Sequence, residues 1–322
     1  MHSTGYCQAV EKAADIEVPA RARFIRTIIL ELERVQSHLL WLGIAGHIIG
    51  FDTVLMQAWR IREPVMWLCE KITGNRKLLG MNIVGGVRRD IPKEMHPELM
   101  EVLNKVEKET KKVLDAVVTD TTLLMRCENV GILKNEDAIA YSLLGPTSRG
   151  SGVALDIRVD HPYAAYKEVG CEVVVETGAD IWSRLLVRLK ETVESIRIIK
   201  DSLAMMPKGE IVADMSDPIP PGKVGLSSVE APRGETHHFV ITGEDCRPYR
   251  WKARAPTFQN LQGIPLMVAG ETIADVPIAL GSIDPCFSCT ERLETVDVKS
   301  GKIKIYSKAE LYKLSRSKTF KR

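Results

Sequence analysis

Long apolar runs are missing from this chain. The richest candidate, Phe24 to Leu55, is interrupted by Arg26, Glu31, Glu33, Arg34 and Asp52. No uncharged stretch approaches the roughly 18 residues that span a bilayer. Cysteine is sparse as well: seven among 322 residues, scattered except for Cys286 and Cys289. That is no disulfide framework, and it points to a reducing, cytoplasmic setting. The start, Met1-His2-Ser3-Thr4-Gly5-Tyr6-Cys7, has neither the basic nor the apolar region of a secretory signal. Excess charge is absent too; a formal balance of +2 gives no reason to propose nucleic-acid binding. The glycine clusters form neither G-x-G-x-x-G between a strand and a helix nor a G-x-x-x-x-G-K-S/T loop. Any nicotinamide or nucleoside triphosphate chemistry would fall to another subunit.

What remains is the composition of an ordinary globular protein, 45% hydrophobic and 27% charged. Pro19 is placed to start a helix, because its missing N–H would be unpaired there anyway. Ile25, Ile28, Leu32, Val35, Leu39 and Leu42 then recur in steps of three and four, one apolar helix face. Leu99, Leu103, Val106, Val113 and Val117 mark a second helix, and Trp182, Leu186, Leu189, Val193, Ile196 and Leu203 a third. Between them lie turn-rich stretches, Gly85 to Asp90 and Gly145 to Gly152 among them. After Pro218-Ile219-Pro220-Pro221-Gly222 the texture changes to short strand-like runs such as His238 to Thr242. The expected fold is mainly α, a core bundle of long helices with small peripheral β elements.

Cys286 and Cys289, in "DPCFSCTER", are spaced so that both sulfurs face one ion. Thiolates suit zinc, nickel and iron, but two are half of a usual ligand set. A lone C-x-x-C is a weak signal, and spacing alone leaves a redox pair open. Its setting says more. Glu271 to Arg292, "ETIADVPIALGSIDPCFSCTER", resembles the C-terminal nickel motif of nickel–iron hydrogenase large subunits, D-P-C-x-x-C closed by His or Arg. The resemblance runs over nearly the whole chain, through "GGVRRD", "GPTSRGSGVALDIRVDHPY", "GLSSVEAPRGE" and "YRWKARAPTFQN". It is nearest to the energy-converting, membrane-associated type of formate hydrogenlyases. Several segments are shared with the quinone-site subunit of respiratory complex I, a relative that lacks the cysteine pair.

The resemblance implies a nickel–iron centre held by four thiolates, its iron carrying carbon monoxide and cyanide. Cys286 would be a terminal nickel ligand and Cys289 a bridging one. Arg233, in "EAPRGE", matches the arginine over the open metal position, and Asp275 and Asp284 would orient it and the cysteine loop. Electrons would come from an iron–sulfur cluster in a small partner subunit. Membrane subunits would hold the chain peripherally on the cytoplasmic face, and nickel-insertion factors and a maturation protease would complete it. The family's other two thiolates lie in an N-terminal C-G-x-C segment followed by His-Ser. His2-Ser3 matches that pair, yet no cysteine precedes Cys7. The chain is thus expected to be N-terminally incomplete, from an internal methionine of a longer protein or a split or decayed gene.

The expected organisation is a hydrogenase-like domain over 1–292 and a basic tail over 293–322. The family implies that the tail is cut off between Arg292 and Leu293 once nickel is in place. Two other readings stand beside the hydrogenase: a metal-free complex I-like quinone oxidoreductase subunit, and a truncated, non-catalytic scaffold. Glu31, Arg34 and His38 share one helical face and are expected as a satisfied polar cluster. Arg88, Arg89 and Asp90 match a loop that in the complex I relatives lies toward the quinone cavity, and read at least as well as structural ion pairs. Cys69, Cys127, Cys171 and Cys246 read as buried small side chains.

Overall fold

The computed structural model describes residues 1–215, 219–290, 294–296, 300–301 and 303–319. It divides into two compact units, Met1–Pro285 and Cys286–Arg322. The boundary expected after Arg292 falls at residues outside the described set.

Four long helices build the first unit: α2 (Ala20–Ile48), α3 (Asp52–Thr73), α4 (His96–Thr119) and α10 (Ile181–Met205), preceded by α1 (His2–Ala14). Pro19 stands immediately before α2, where its missing N–H breaks no helical bond. Ile25, Ile28, Leu32, Val35 and Leu39 of α2 meet Val65, Leu68 and Ile72 of α3 in one core. Leu99, Leu103 and Val106 of α4 and Ile196, Ile199 and Leu203 of α10 complete it. Fully burying one such side chain stabilises the fold by about 1.5–3 kcal/mol. The mainly α fold expected from the spacing is the one observed.

Short helices connect the long ones: α5 (Thr121–Cys127), α6 (Asn135–Ala140), α7 (Pro146–Arg149), α8 (Ile157–Asp160) and α9 (Tyr166–Val169). Strands β1 (Asn82–Ile83) and β2 (Gly86–Val87) form a small ribbon, and β3 (Val224–Ala231), β4 (Gly234–Thr242) and β5 (Pro248–Arg254) an antiparallel sheet in that order. Helix α1 packs on this sheet, with Ala9 and Val10 against Val240. Helices α11 (Pro256–Asn260), α12 (Ile264–Val268) and α13 (Val276–Ser282) end the unit.

In the second unit, strands β6 (Glu294–Val296) and β7 (Ile303–Ile305) pair antiparallel, followed by α14 (Lys308–Thr319). No helix among the described residues is long and apolar enough to cross a membrane.

Candidate metal-binding thiols and the Arg233 hairpin

The β3–β4 hairpin turns on Pro232 and Arg233, with Ala231 opposite Gly234. Gly234 (φ +122°) lies flush on Gly145 (φ +66°), where a β-carbon on Gly145 would come within 2.4 Å of the Gly234 α-carbon. Only two glycines allow the backbones to approach this closely. Asn260 fastens the junction: its amide donates to the carbonyls of Leu144 (3.1 Å) and Arg233 (3.2 Å), and its Oδ1 accepts from the Leu144 N–H (2.8 Å). Three sequence motifs, "GPTSRG", "EAPRGE" and "ARAPTFQN", therefore meet at one point, and that point carries Arg233.

The Arg233 guanidinium is held from the other side. Nε donates to the Asp284 carbonyl (2.6 Å), Nη2 to Asp284 Oδ1 (2.8 Å) and Nη1 to Ser37 Oγ (3.3 Å). Asp284 follows α13 with a left-handed backbone, φ +54°, and Pro285 bars the helix from continuing. Trp41 Nε1 donating to Gly281 O (2.8 Å) and Arg184 Nε to Ser282 Oγ (2.9 Å) anchor α13 to α2 and α10. Asp275 takes other partners, Arg126 of α5 (2.9 Å) and Thr272 Oγ1 (2.6 Å). Of the two aspartates expected to orient Arg233, Asp284 touches it; Asp275 ties α13 to α5 instead.

A buried polar cluster supports the hairpin root. Glu31, Arg34 and His38 share one face of α2, as their spacing predicts, and all are buried. Arg34 Nη2 donates to Glu230 O (2.7 Å) and Nη1 to Ala231 O (3.2 Å). Arg158 reaches Glu31 (3.2 Å) and Asp156 (2.7 Å), and Arg149 reaches Glu191 (2.8 Å) and Glu230 (2.9 Å). His38 Nε2 donates to Glu191 Oε2 at 2.9 Å, because a carboxylate only accepts. Burial would raise Glu31, but Arg34 and Arg158 outweigh it and hold the carboxyl at about 2. For His38 burial wins over Glu191, and its value falls to about 4. Burial also prevails at Glu230, against Arg149, and lifts it to about 7.

In the second unit Cys286 precedes a single 3₁₀ turn, Phe287–Cys289, closed by the Cys289 N–H on the Cys286 carbonyl (3.0 Å). The turn brings the two sulfurs to 3.0 Å from each other, with Ser288 Oγ 3.3 Å from Cys286 Sγ. Both cysteines are half-buried, and neither is in a disulfide. Two soft donors on one turn suit two positions around one soft or borderline metal ion. Among the described residues no group of three or more His, Cys, Asp or Glu side chains could hold a metal. The pair fits as half of a donor set and not as a complete site.

Sequence reading missed Ser37, Asn260 and the distant cluster members Arg149, Asp156, Arg158, Glu191 and Glu230. Of these only Glu191 gave a visible signal, a charge inside the long helix α10. Of the ion pairs expected at Arg88, Arg89 and Asp90, Asp90 makes one, to Arg21 at 2.8 Å. Arg88 donates to the Thr73 carbonyl (3.1 Å) instead, and Arg89 has no ion pair among the described residues. Cys69 and Cys127 are buried, and burial pushes each thiol up to about 12. Cys171 is half-buried and Cys246 exposed, so the expectation of burial fails for both. Cys246 sits in a short 3₁₀ turn, Glu244–Cys246, that buries none of its residues.

Residues 49–226 and 215–292 match the family described as respiratory-chain NADH dehydrogenase, 49 Kd subunit. The chain is 39% identical over 317 residues to formate hydrogenlyase subunit 5 of Escherichia coli (strain K12), covering 98% of this chain but 56% of that protein. It therefore spans little more than half the length of that relative. Identity to membrane-bound hydrogenase subunit alpha of Pyrococcus furiosus is 39% over 334 residues, covering 99% of this chain and 78% of that one. An NADH-quinone oxidoreductase subunit of Clostridium beijerinckii is 35% identical over 293 residues, covering 91% of this chain and 79% of that protein.

Proposed function

The chain belongs to the family of the 49 kDa subunit of respiratory-chain NADH dehydrogenase, and from that membership we propose that it is the large subunit of a membrane-associated nickel–iron hydrogenase. The reaction is 2H⁺ + 2e⁻ ⇌ H₂, within a formate hydrogenlyase-like complex. The thiol pair carries this reading, two sulfurs 3.0 Å apart directly after Asp284-Pro285. By resemblance, Cys286 and Cys289 are two of the four thiolates that hold the centre. When bound, a nickel–iron centre supplies a soft, redox-active site for heterolytic splitting of H₂. Cys286, as the terminal thiolate, takes or returns a proton at Sγ. The two bonds of Arg233 to Asp284 fix the guanidinium plane. A small partner subunit with an iron–sulfur cluster supplies electrons. Membrane subunits hold the chain at the cytoplasmic face, and insertion factors and a protease load and finish it.

The test is metal analysis with an H₂ assay. This chain alone is expected to hold nickel well below one per molecule, because half a ligand set loses most of the affinity. Supplied with the two further thiolates and its partners, it is expected to bind about one nickel and evolve H₂. Cys286→Ser or Cys289→Ser then abolishes activity, since oxygen is too hard a donor for nickel, whereas Cys171→Ser retains it. Near-normal H₂ evolution by either motif-cysteine variant sinks the proposal. Quinone reduction without nickel favours the complex I-like reading.

A further inference from the structure

His238 of β4 is fully buried, and the proposed reaction gives it no task. Trp251, on the neighbouring β5, stacks on its ring with centroids 5.8 Å apart and planes 25° from parallel. The Trp251 indole Nε1 donates to His238 Nδ1 at 3.0 Å. From α1, His2 Nδ1 lies 3.1 Å from His238 Nε2. Gly5 of α1 is the third wall: a β-carbon there would stand 2.5 Å from His238 Cδ2, so the ring lies flush on the helix backbone. Ser227, opposite His238 on β3, donates to the Gly5 carbonyl at 2.5 Å and ties α1 to the sheet.

Hydrogen-bond chemistry leaves one arrangement of protons. An indole nitrogen only donates, so His238 Nδ1 accepts and carries no proton. A neutral His238 then has its proton on Nε2 and donates it toward His2 Nδ1. His2 accepts at Nδ1, and its own ring proton sits on Nε2. Neither ring can become imidazolium in place. A second proton on His238 would face the indole N–H, and a second proton on His2 would face the His238 N–H. The other charged groups nearby are engaged: the Met1 amino group pairs with Glu33 of α2, and His237 meets Ser228 (2.8 Å) and Glu235 (3.0 Å). Burial, with His2 adding to it, holds His238 down to about 4.

We propose that Trp251 and His238 are positioning residues for His2. The indole sets the tautomer of His238, and His238 sets that of His2, which becomes a fixed hydrogen-bond donor at Nε2. Resting on the hydrogenase reading, this excludes docked His2 as the base that receives a proton from H₂. It leaves His2 to orient a neighbouring acceptor.

The test is ¹⁵N NMR of the 322-residue chain with labelled imidazoles, which reports the tautomer without any metal and so stands apart from the hydrogenase assay. Both rings are expected as single Nε2–H tautomers from pH 7 to about 5. Trp251→Phe keeps the aromatic stack but removes the donor. His238 should then show a mixture of tautomers and begin to titrate between about pH 5 and 7, with His2 following. His238→Gln, whose amide nitrogen replaces Nε2–H, should preserve the His2 tautomer, and His238→Leu should lose it. An Nδ1–H tautomer of His238 in the unaltered chain, or a Trp251→Phe spectrum identical to it, overturns the proposal.

Discussion

A guanidinium can grip a carbonyl and a carboxylate of one residue at once, and Arg233 does so on Asp284. Lysine offers a single point charge on a flexible stem. Arg233→Lys is therefore expected to load nickel normally in the completed enzyme but to lower H₂ turnover at least about tenfold, roughly 1.4 kcal/mol of barrier. Metal content and rate measured on one preparation check this. The buried titratable groups make a separate prediction about stability. His38 is depressed to about 4, so its contribution is complete above its ordinary 6.5 and is lost as pH falls toward 4. Glu230 is raised to about 7, so its contribution is complete below 4.5 and is lost as pH rises through 7. At about 1.4 kcal/mol per pH unit the two slopes oppose each other across one window. His38→Gln should leave stability falling more steeply, or rising less, with increasing pH. Glu230→Gln should steepen the loss on acidification, where His238 acts in the same direction. Urea unfolding between pH 4.5 and 7.5 separates the two.

Among elements, the hairpin tip is the most exacting. Gly145→Ala adds a β-carbon 2.4 Å from the Gly234 backbone at a positive φ. A loss of about 2–4 kcal/mol is expected from overpacking and backbone strain together, read from the urea midpoint. Leu103→Ala, in the core between α2, α3, α4 and α10, should lose about 2–5 kcal/mol by leaving a cavity. Helix α2 was legible because Ile25, Ile28, Leu32, Val35 and Leu39 recur in steps of three and four, although its other faces are buried too, around Arg26, Glu31, Arg34 and His38. Helix α10 was only partly so. Trp182, Leu186 and Val193 of its apparent stripe are half-buried, while Arg184, Arg188 and Glu191 are buried. Spacing cannot distinguish a polar face turned to water from one turned to buried partners. Helix α3 escaped notice because Pro64 breaks its pattern, although it runs through that residue. Arg233, Asp284 and the cysteines were found through motifs. Asn260 and Ser37 were not, since a lone amide or hydroxyl has no period to betray it.

At the scale of the whole molecule, the tail gives the last prediction. On the proposed function, co-expression with nickel-insertion factors and a maturation protease should remove the mass of 293–322 in nickel-replete cells and leave it in place without nickel. The bond concerned, Arg292–Leu293, lies outside the described residues. Intact-mass measurement decides, and a tail retained in an active enzyme refutes processing. The cluster beneath Arg233 behaves differently from the surface pairs around it. Glu31, Asp156, Glu191 and Glu230 are enclosed with Arg34, Arg149 and Arg158, beyond the reach of dissolved ions. Added salt should weaken an exposed bridge such as Arg60–Glu109 and leave this cluster unscreened. Hydration of charge also becomes less favourable on heating, so the penalty for keeping these groups dry shrinks as temperature rises. The foundation of Arg233 thus grows relatively firmer in warm, saline solution, where the periphery of the fold loosens first.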